Sequence, residues 1–501
     1  MPLSQILPPC IAAPLAACGP RVRLALLPAL LLLTVLPAAA RQDPPAAAAP
    51  AAAPRPNLVL ITLDTTRADH LGCYGYPRPT SPTIDALAAE SVVFERCLAV
   101  LPHTTPSHAS IFTGVYPYEH GVLSCSFRAS VEDQERRAFA PTERLRSYAQ
   151  ILADAGWNTG GFVTAATTKK ITGLGHGFTA WSEPEAEVCA GDEAAAHALE
   201  WLQTVPEPFF LWLHLFDAHA PPREKHVKWV KEFAVDAALK QVVAERGMNV
   251  SARSGRRIDR THEIVRYDAG IRMMDDHVRD VRARIAERGA WERTTVVITG
   301  DHGEGLGQHG VPLHGPVWQE QVRVPFLLKA AGLAPGRVPM LVSSIDVLAT
   351  AIASSPGLPA DEFLAQARGQ DALSSDFEER PVFSMSPPQQ REHALSVGRW
   401  RLIRRQRDEL LLFDLERDPH ELKNVAAQQP EVVKRLEQQL DQLIRDQKRR
   451  HAWYYEGHGA EAPLSDEEAE KRRKELEATG YADDGDAGGD GDEDEGGDDG
   501  A

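Results

Sequence analysis

This sequence predicts an α/β fold in which a largely parallel central sheet is covered by helices and followed by a small antiparallel subdomain. Three observations carry the prediction. Short, β-branched apolar runs alternate with amphipathic helical patterns from Asn57 to about Ala353. The runs are apolar at consecutive positions, as in strands buried on both faces. After Ser355 the pattern changes to short strands joined by polar turns.

The first strand is Asn57 to Leu63, bounded by Asp64. Gly161 to Thr164, Pro208 to Leu215, Thr294 to Thr299 and Val324 to Leu328 repeat its pattern. The clearest intervening helix places Ile271, Met274, Val278, Val281 and Ile285 at three- and four-residue steps and closes at Gly289. Pro381 to Ser384, His393 to Gly398, Trp400 to Arg405 and Glu409 to Leu415 read as short antiparallel strands, and Pro430 to Arg450 as one amphipathic helix over them. These patterns divide the chain into an α/β domain over 56–355, an α+β subdomain over 356–450, an extension over 451–481 and an acidic Asp/Gly tail over 482–501. There is no internal repeat.

The composition, 43% hydrophobic and 25% charged over 501 residues, excludes collagen-like, coiled-coil and wholly disordered chains. Ten acidic residues between Asp483 and Asp499 supply much of the formal charge of -17, and the acidic balance argues against nucleic acid as a partner. Arg21 and Arg23, the apolar run Leu24 to Leu36 and the small residues Ala38 to Ala40 read as a secretory signal over 1–40, followed by an Ala/Pro-rich linker over 41–55. The run is short for a bilayer, so the expectation is a protein exported to the periplasm or beyond, without a permanent membrane span. Cys73, Cys97, Cys125 and Cys189 follow the leader. An even number in an oxidising compartment leaves disulfides and buried free thiols both open.

Residues after each buried strand share a chemistry. Asp64 follows the first strand; His214, Asp217 and His219 lie at the end and exit of another; Asp301-His302-Gly303-Glu304 follows a third. Singly, Asp64 can cap a helix, Asp301 can hold a turn and His214 can be a core histidine. Jointly, at the carboxyl ends of strands in one sheet, they form a candidate metal site. The segment Leu101-Pro-His-Thr-Thr-Pro-Ser-His-Ala-Ser-Ile-Phe-Thr-Gly114 adds a nucleophile. Pro106 suits the first helical position, which makes Thr105 the expected N-cap and places Thr104 just beyond the positive end of the helix. An anion is favoured there, and a hydroxyl beside a divalent ion loses its proton more readily. Capping alone is the alternative for both threonines.

On these residues the chain resembles the sulfatase family of the alkaline phosphatase superfamily from Asn57 to at least Leu348. The resemblance runs through Leu63-Asp-Thr-Thr-Arg-Ala-Asp-His-Leu-Gly-Cys-Tyr-Gly75, Thr104-Thr-Pro-Ser-His108 with Thr113-Gly114, and His219-Ala-Pro-Pro222. It continues through Tyr267-Asp268, Gly300-Asp-His-Gly-Glu-Gly-Leu-Gly-Gln-His-Gly310 and Arg323-Val-Pro-Phe326. The resemblance implies an alkaline phosphatase-like fold, with Asp64, Asp301 and His302 as metal ligands and Thr104, also at the metal, as nucleophile. It implies that His219 protonates the leaving oxygen or, with Asp217, helps to hold a second metal. His314 is similar to a second-metal histidine of phosphotransfer branches, Arg67 orients the active-site loop, and Lys169 and Lys170 are candidate anion contacts.

Main-type sulfatases carry Cys-x-Pro-Ser-Arg, whose cysteine becomes formylglycine; here Thr104 and His108 stand at the first and last positions. A threonyl ester must be cleaved by water, which favours phosphorus over sulfur as the transferred centre. Thr65 replaces a second aspartate of calcium-dependent sulfatases, so zinc or manganese is favoured for the one or two divalent ions, with calcium and magnesium left open. The expected function is hydrolysis of sulfate or phosphate esters of a small molecule, glycan or lipid, leaning to phosphoesters and phosphodiesters. The alternatives are transfer of a phosphoryl group to a glycan or lipid hydroxyl, and non-catalytic anion or carbohydrate binding.

Overall fold

The computed structural model describes residues 55–125, 138–219 except 187 and 189, 227–248 except 234, 259–458, and 471 and 474. The expected leader and linker (except residue 55), most of the extension, the acidic tail and Cys189 lie outside them. Among the described residues nine strands form one sheet: β1 Asn57–Leu63, β2 Val92–Leu98, β3 Asn158–Phe162, β4 Ala180–Ser182, β5 Phe209–Leu215, β6 Thr294–Gly300, β7 Arg323–Val324, β8 Phe326–Lys329 and β9 Gly336–Ser343. Their order is β4-β3-β5-β1-β6-β8-β2-β7, with β9 pairing on β2.

The consecutive apolar runs are explained by two-sided burial. In β1, Leu58 and Leu60 enter one core while Val59, Ile61 and Leu63 enter the other. In β5, Phe210 and Trp212 face the first core and Phe209, Leu211, Leu213 and Leu215 the second. The second core is closed by the helix Thr261–Glu287 through Ile264, Ile271, Met274, Val278, Val281 and Ile285.

The sheet is mostly parallel but mixed. β1 is parallel to both β5 and β6, whereas β8 is antiparallel to β6 and β2. The run expected as one strand from Val324 to Leu328 is two, because Pro325 has no N–H to give to a ladder. β3 ends at Phe162, earlier than its apolar pattern suggested, and it starts at Asn158. Its Gly160 and Gly161 make room for aromatic rings: a Cβ there would lie 2.8 Å from Trp201 and 2.5 Å from Trp181.

A separate antiparallel sheet follows, β10 Val382–Met385, β11 His393–Val397, β12 Trp400–Arg404 and β13 Leu410–Asp414, in that order. One face packs Phe383, Leu395, Leu402 and Leu412 against Leu436 and Leu440 of the helix Pro430–Tyr454. The other packs Ala394, Ile403 and Phe413 against Val317 and Trp318, just beyond the loop that follows β6. No helix among the described residues is long and apolar enough to cross a membrane. Cys97 and Cys125 are buried and Cys73 is half-buried.

Candidate active site

Register places the first residues of the site. Leu63 of β1 is level with Leu215 of β5 and Gly300 of β6, so Asp64, Phe216 and Asp301 emerge side by side at one sheet edge. Thr65 turns the chain there in a left-handed conformation (φ 51°), and its N–H donates to Asp301 Oδ1 across 3.2 Å. The helix Thr104–Thr113 meets this edge, tied by Ser107 Oγ, which donates to the Asp301 carbonyl at 2.7 Å.

That helix corrects the expected cap. It begins at Thr104 with His103 as N-cap, so Pro106 is the third helical residue rather than the first. Thr105 caps nothing: its hydroxyl donates to the Thr167 carbonyl at 2.6 Å, tying the first turn to the 3-10 turn Ala166–Thr168. The local signal for Thr105 was overridden because a tertiary acceptor lies within reach.

Thr104 Oγ1 donates to Asp64 Oδ2 across 3.2 Å, and His214 Nε2 lies 3.1 Å from the same oxygen. The remaining atoms Asp64 Oδ1, Asp301 Oδ2 and His302 Nε2 are buried without a hydrogen-bond partner among the described residues. Ligand atoms of these three residues lie within 4.8 Å of one another. His302 Nδ1 is 2.9 Å from the Gly303 carbonyl, which can only accept, so the ring's proton is there and the Nε2 lone pair is left for a cation. Burial pushes the Asp64 carboxyl up to about 6 and raises Asp301 too, the latter also by repulsion from Asp64. Two buried carboxylates with an imidazole lone pair between them fit a divalent ion, whose charge would offset their desolvation.

His108, His214 and Asp301 form a second close group, but its imidazoles are already committed. His108 Nδ1 donates to the Thr104 carbonyl at 2.8 Å, and Nε2 accepts from the Thr62 hydroxyl at 3.0 Å. Thr62 Oγ1 in turn accepts from Trp212 Nε1 at 3.0 Å. Burial lowers His108 to about 3, so a neutral ring tethers Thr104's main chain where the resemblance expects arginine.

His314 sits among other imidazoles, with ring centroids 4.6 Å from His302, 5.0 Å from His219 and 5.7 Å from His103. Burial, then the neighbouring histidines, hold it well below its ordinary range. Its Nδ1 lies 3.5 Å from Glu304 Oε2, a carboxyl that burial pushes up to about 8. His219 stacks on Phe216 with centroids 4.1 Å apart. Asp217 Oδ1 accepts from the Gly191 N–H at 2.9 Å, at the start of the helix Gly191–Thr204. Asp217, His219 and His314 belong to neither close ligand group.

Arg67 is buried and serves the loop. Its guanidinium grips Asp69 through Nε and Nη2 (2.9 and 2.8 Å), the Glu304 carbonyl (3.2 Å) and Gln308 Oε1 (3.1 Å). Lys169 is buried beside the turn that receives Thr105, whereas Lys170 is exposed. Sequence reasoning passed over His103 and gave no separate role to Glu304 or to the Trp212–Thr62–His108 chain. His103 directly before Thr104 was the available signal; the chain across three elements had none.

A sulfatase family model matches residues 56–355. An ulvan-active sulfatase of Formosa agariphila is 27% identical over 315 residues, which cover 56% of this chain and 57% of that protein, so the chain spans little more than half the length of that relative. A 2-O GAG sulfatase structure superposes with a TM-score of 0.63 at 19% identity, covering 81% of this chain and 95% of that one. The phosphonate monoester hydrolase of Agrobacterium radiobacter gives 0.59 at 19% identity, covering 79% and 96%. The structures share the fold, and the family match covers every strand from β1 to β9 together with the edge where Asp64, Thr104, Asp301 and His302 meet; the chain belongs to the sulfatase family.

Proposed function

We propose that this chain is an exported, metal-dependent hydrolase of sulfate or phosphate esters that uses Thr104 as nucleophile and favours phosphoesters, phosphodiesters included. The observation that carries the reading is the Thr104 hydroxyl on Asp64 Oδ2 at 3.2 Å, beside the unpartnered atoms of Asp64, Asp301 and His302. Thr104 Oγ attacks phosphorus or sulfur, the bond to the leaving oxygen breaks, and its proton passes to Asp64 or to solvent. His219 stands as the donor to the departing oxygen. Water then cleaves the threonyl ester and restores the hydroxyl. A divalent ion held by Asp64, Asp301 and His302 would supply positive charge to stabilise the nucleophile's anion and the charge on the transferred group. His108 and Ser107 hold the helix turn that presents Thr104.

The lean to phosphorus rests on Thr104, which offers no aldehyde route for releasing sulfate, and is supported by the shared fold with a phosphonate monoester hydrolase. The test measures kcat/KM for matched aryl phosphate, phosphodiester and sulfate substrates on chelated enzyme reloaded with zinc or manganese. Faster phosphate or phosphodiester turnover supports the reading; a sulfate preference surviving in Thr104→Ala refutes both nucleophile and substrate class. Export is tested by N-terminal sequencing of the mature protein, with a start after Ala40 expected and a start at Met1 opposing it.

A further inference from the structure

The loop after β6 leaves the sheet at Asp301, carries Glu304 and His314, and returns at Trp318. It folds back on itself: Gly305, Leu306 and Gly307 N–H groups donate to Leu313, Pro312 and Val311 carbonyls at 2.9, 3.1 and 2.8 Å. His309 is at its tip, in a left-handed conformation (φ 51°) that a non-glycine residue adopts only when its surroundings compensate. The compensation comes from outside the loop. His309 Nδ1 lies 2.9 Å from Glu320 Oε1, and Nε2 lies 3.1 Å from the main-chain carbonyl of Glu421. The ring stacks on Trp318 with centroids 4.0 Å apart and planes 4° from parallel, and Trp318 touches Phe413 of β13 edge-on at 5.8 Å.

A carbonyl only accepts, so Nε2 carries a proton; opposite a carboxylate, Nδ1 carries the second. We propose that His309, as an imidazolium bridging Glu320 and the Glu421 carbonyl, is a positioning residue that fastens the active-site loop to the C-terminal antiparallel sheet. The anchor on the far side is built to stay still. The Glu421 carboxylate pairs with Arg401 Nε of β12 at 2.9 Å and accepts from the Gln319 N–H at 2.8 Å. Arg401 also donates to the Val317 carbonyl and, at 2.7 Å, to Ser396 Oγ. On the near side, Gln308 next to His309 accepts from Arg67, the same guanidinium that holds the Glu304 carbonyl. Beside the ties at Val317 and Gln319, His309 therefore links the C-terminal sheet to the tip of the loop and, through Gln308 and Arg67, to the Glu304 carbonyl.

The charged groups acting on His309 are Glu320 and the Glu421 carboxyl, which burial pushes up to about 7; Arg401 pairs with Glu421, and Arg67 lies beyond Glu320. Burial opposes the ring's charge, but Glu320 and Glu421 outweigh it and lift His309 to about 8. Because the folded value is raised above the ordinary one near 6.5, the strut is fully formed below that pH and is lost as pH rises through about 8.

The test needs no substrate. A protonated imidazole stacked on an indole quenches its fluorescence, so tryptophan emission of the metal-loaded protein should rise between pH 7 and pH 9. The rise should vanish in Trp318→Phe and in His309→Gln, and Glu320→Gln should move it to lower pH. Turnover is a second readout: His309→Gln should lower kcat severalfold with a smaller change in KM, and His309→Arg, which keeps the cation, should recover part of it. A rise that persists in Trp318→Phe, or that Glu320→Gln leaves in place, overturns the proposal, as does unchanged kcat in His309→Gln. If His309→Gln fails to fold, the wild-type, Trp318→Phe and Glu320→Gln titrations still decide. The emission change does not depend on which ester is hydrolysed, so it stands or falls apart from the proposed function.

Discussion

The hydroxyl of Thr104 donates to Asp64 Oδ2 across 3.2 Å, joining the first turn of one helix to the end of a strand forty residues earlier. The same carboxylate takes His214 on Oδ2 and leaves Oδ1 unpartnered, so a single aspartate orients the hydroxyl and faces the cation site.

Thr104→Ala is expected to lower turnover at least about a thousandfold, because every other group at the site acts on the threonyl oxygen or on what it attacks. Thr104→Ser keeps the hydroxyl and should retain a measurable fraction. Steady-state kinetics on both variants, with metal content determined in parallel, check this. Metal content should be unchanged in the alanine variant.

Asp301→Asn should lower bound metal and activity together, since a neutral amide is a weak ligand of nearly the same shape. Chelation should lower the Tm of the wild-type protein, and zinc or manganese should restore it. The same additions should shift Asp301→Asn far less. Full metal occupancy with undiminished turnover in the variant would refute the ligand assignment.

Thr105→Val removes the 2.6 Å bond to the Thr167 carbonyl and strands a buried acceptor, at a cost of about 1–3 kcal/mol. Thermal or denaturant unfolding reads it. Thr105→Asn separates tether from cap: asparagine is a good N-cap, so it would rescue a capping role and is expected not to rescue this one.

Thr62→Val breaks the chain from Trp212 to His108 at its middle, leaving the Trp212 N–H and His108 Nε2 without their shared hydroxyl. The expected destabilisation is about 2–3 kcal/mol, with a fall in kcat larger than any change in KM because the His108 tether on Thr104 loosens. Equal kcat in the folded variant would show that the chain serves stability alone.

The sequence by itself determined the α/β class, the both-sides burial of β1, β5 and β6, the antiparallel C-terminal strands, and the residue types that gather at the sheet edge. These were legible because each is written in consecutive residues: an apolar run has a length and a bounding residue, and Asp64 and Asp301-His302 stand directly after theirs. Only the tertiary structure decided that Thr105 is a tether, that the run around Pro325 is two strands antiparallel to β2, and that Asp217 receives a helix's first N–H. It also decided that His108 is a neutral link to Trp212 and that His309 bridges two domains' worth of chain. Apart from the split at Pro325, each of these depends on an acceptor or donor dozens to hundreds of positions away, and a hydrogen bond is directional and short-ranged. Local propensity fixes what a side chain can do, and the partner that folding brings within 3 Å fixes what it does.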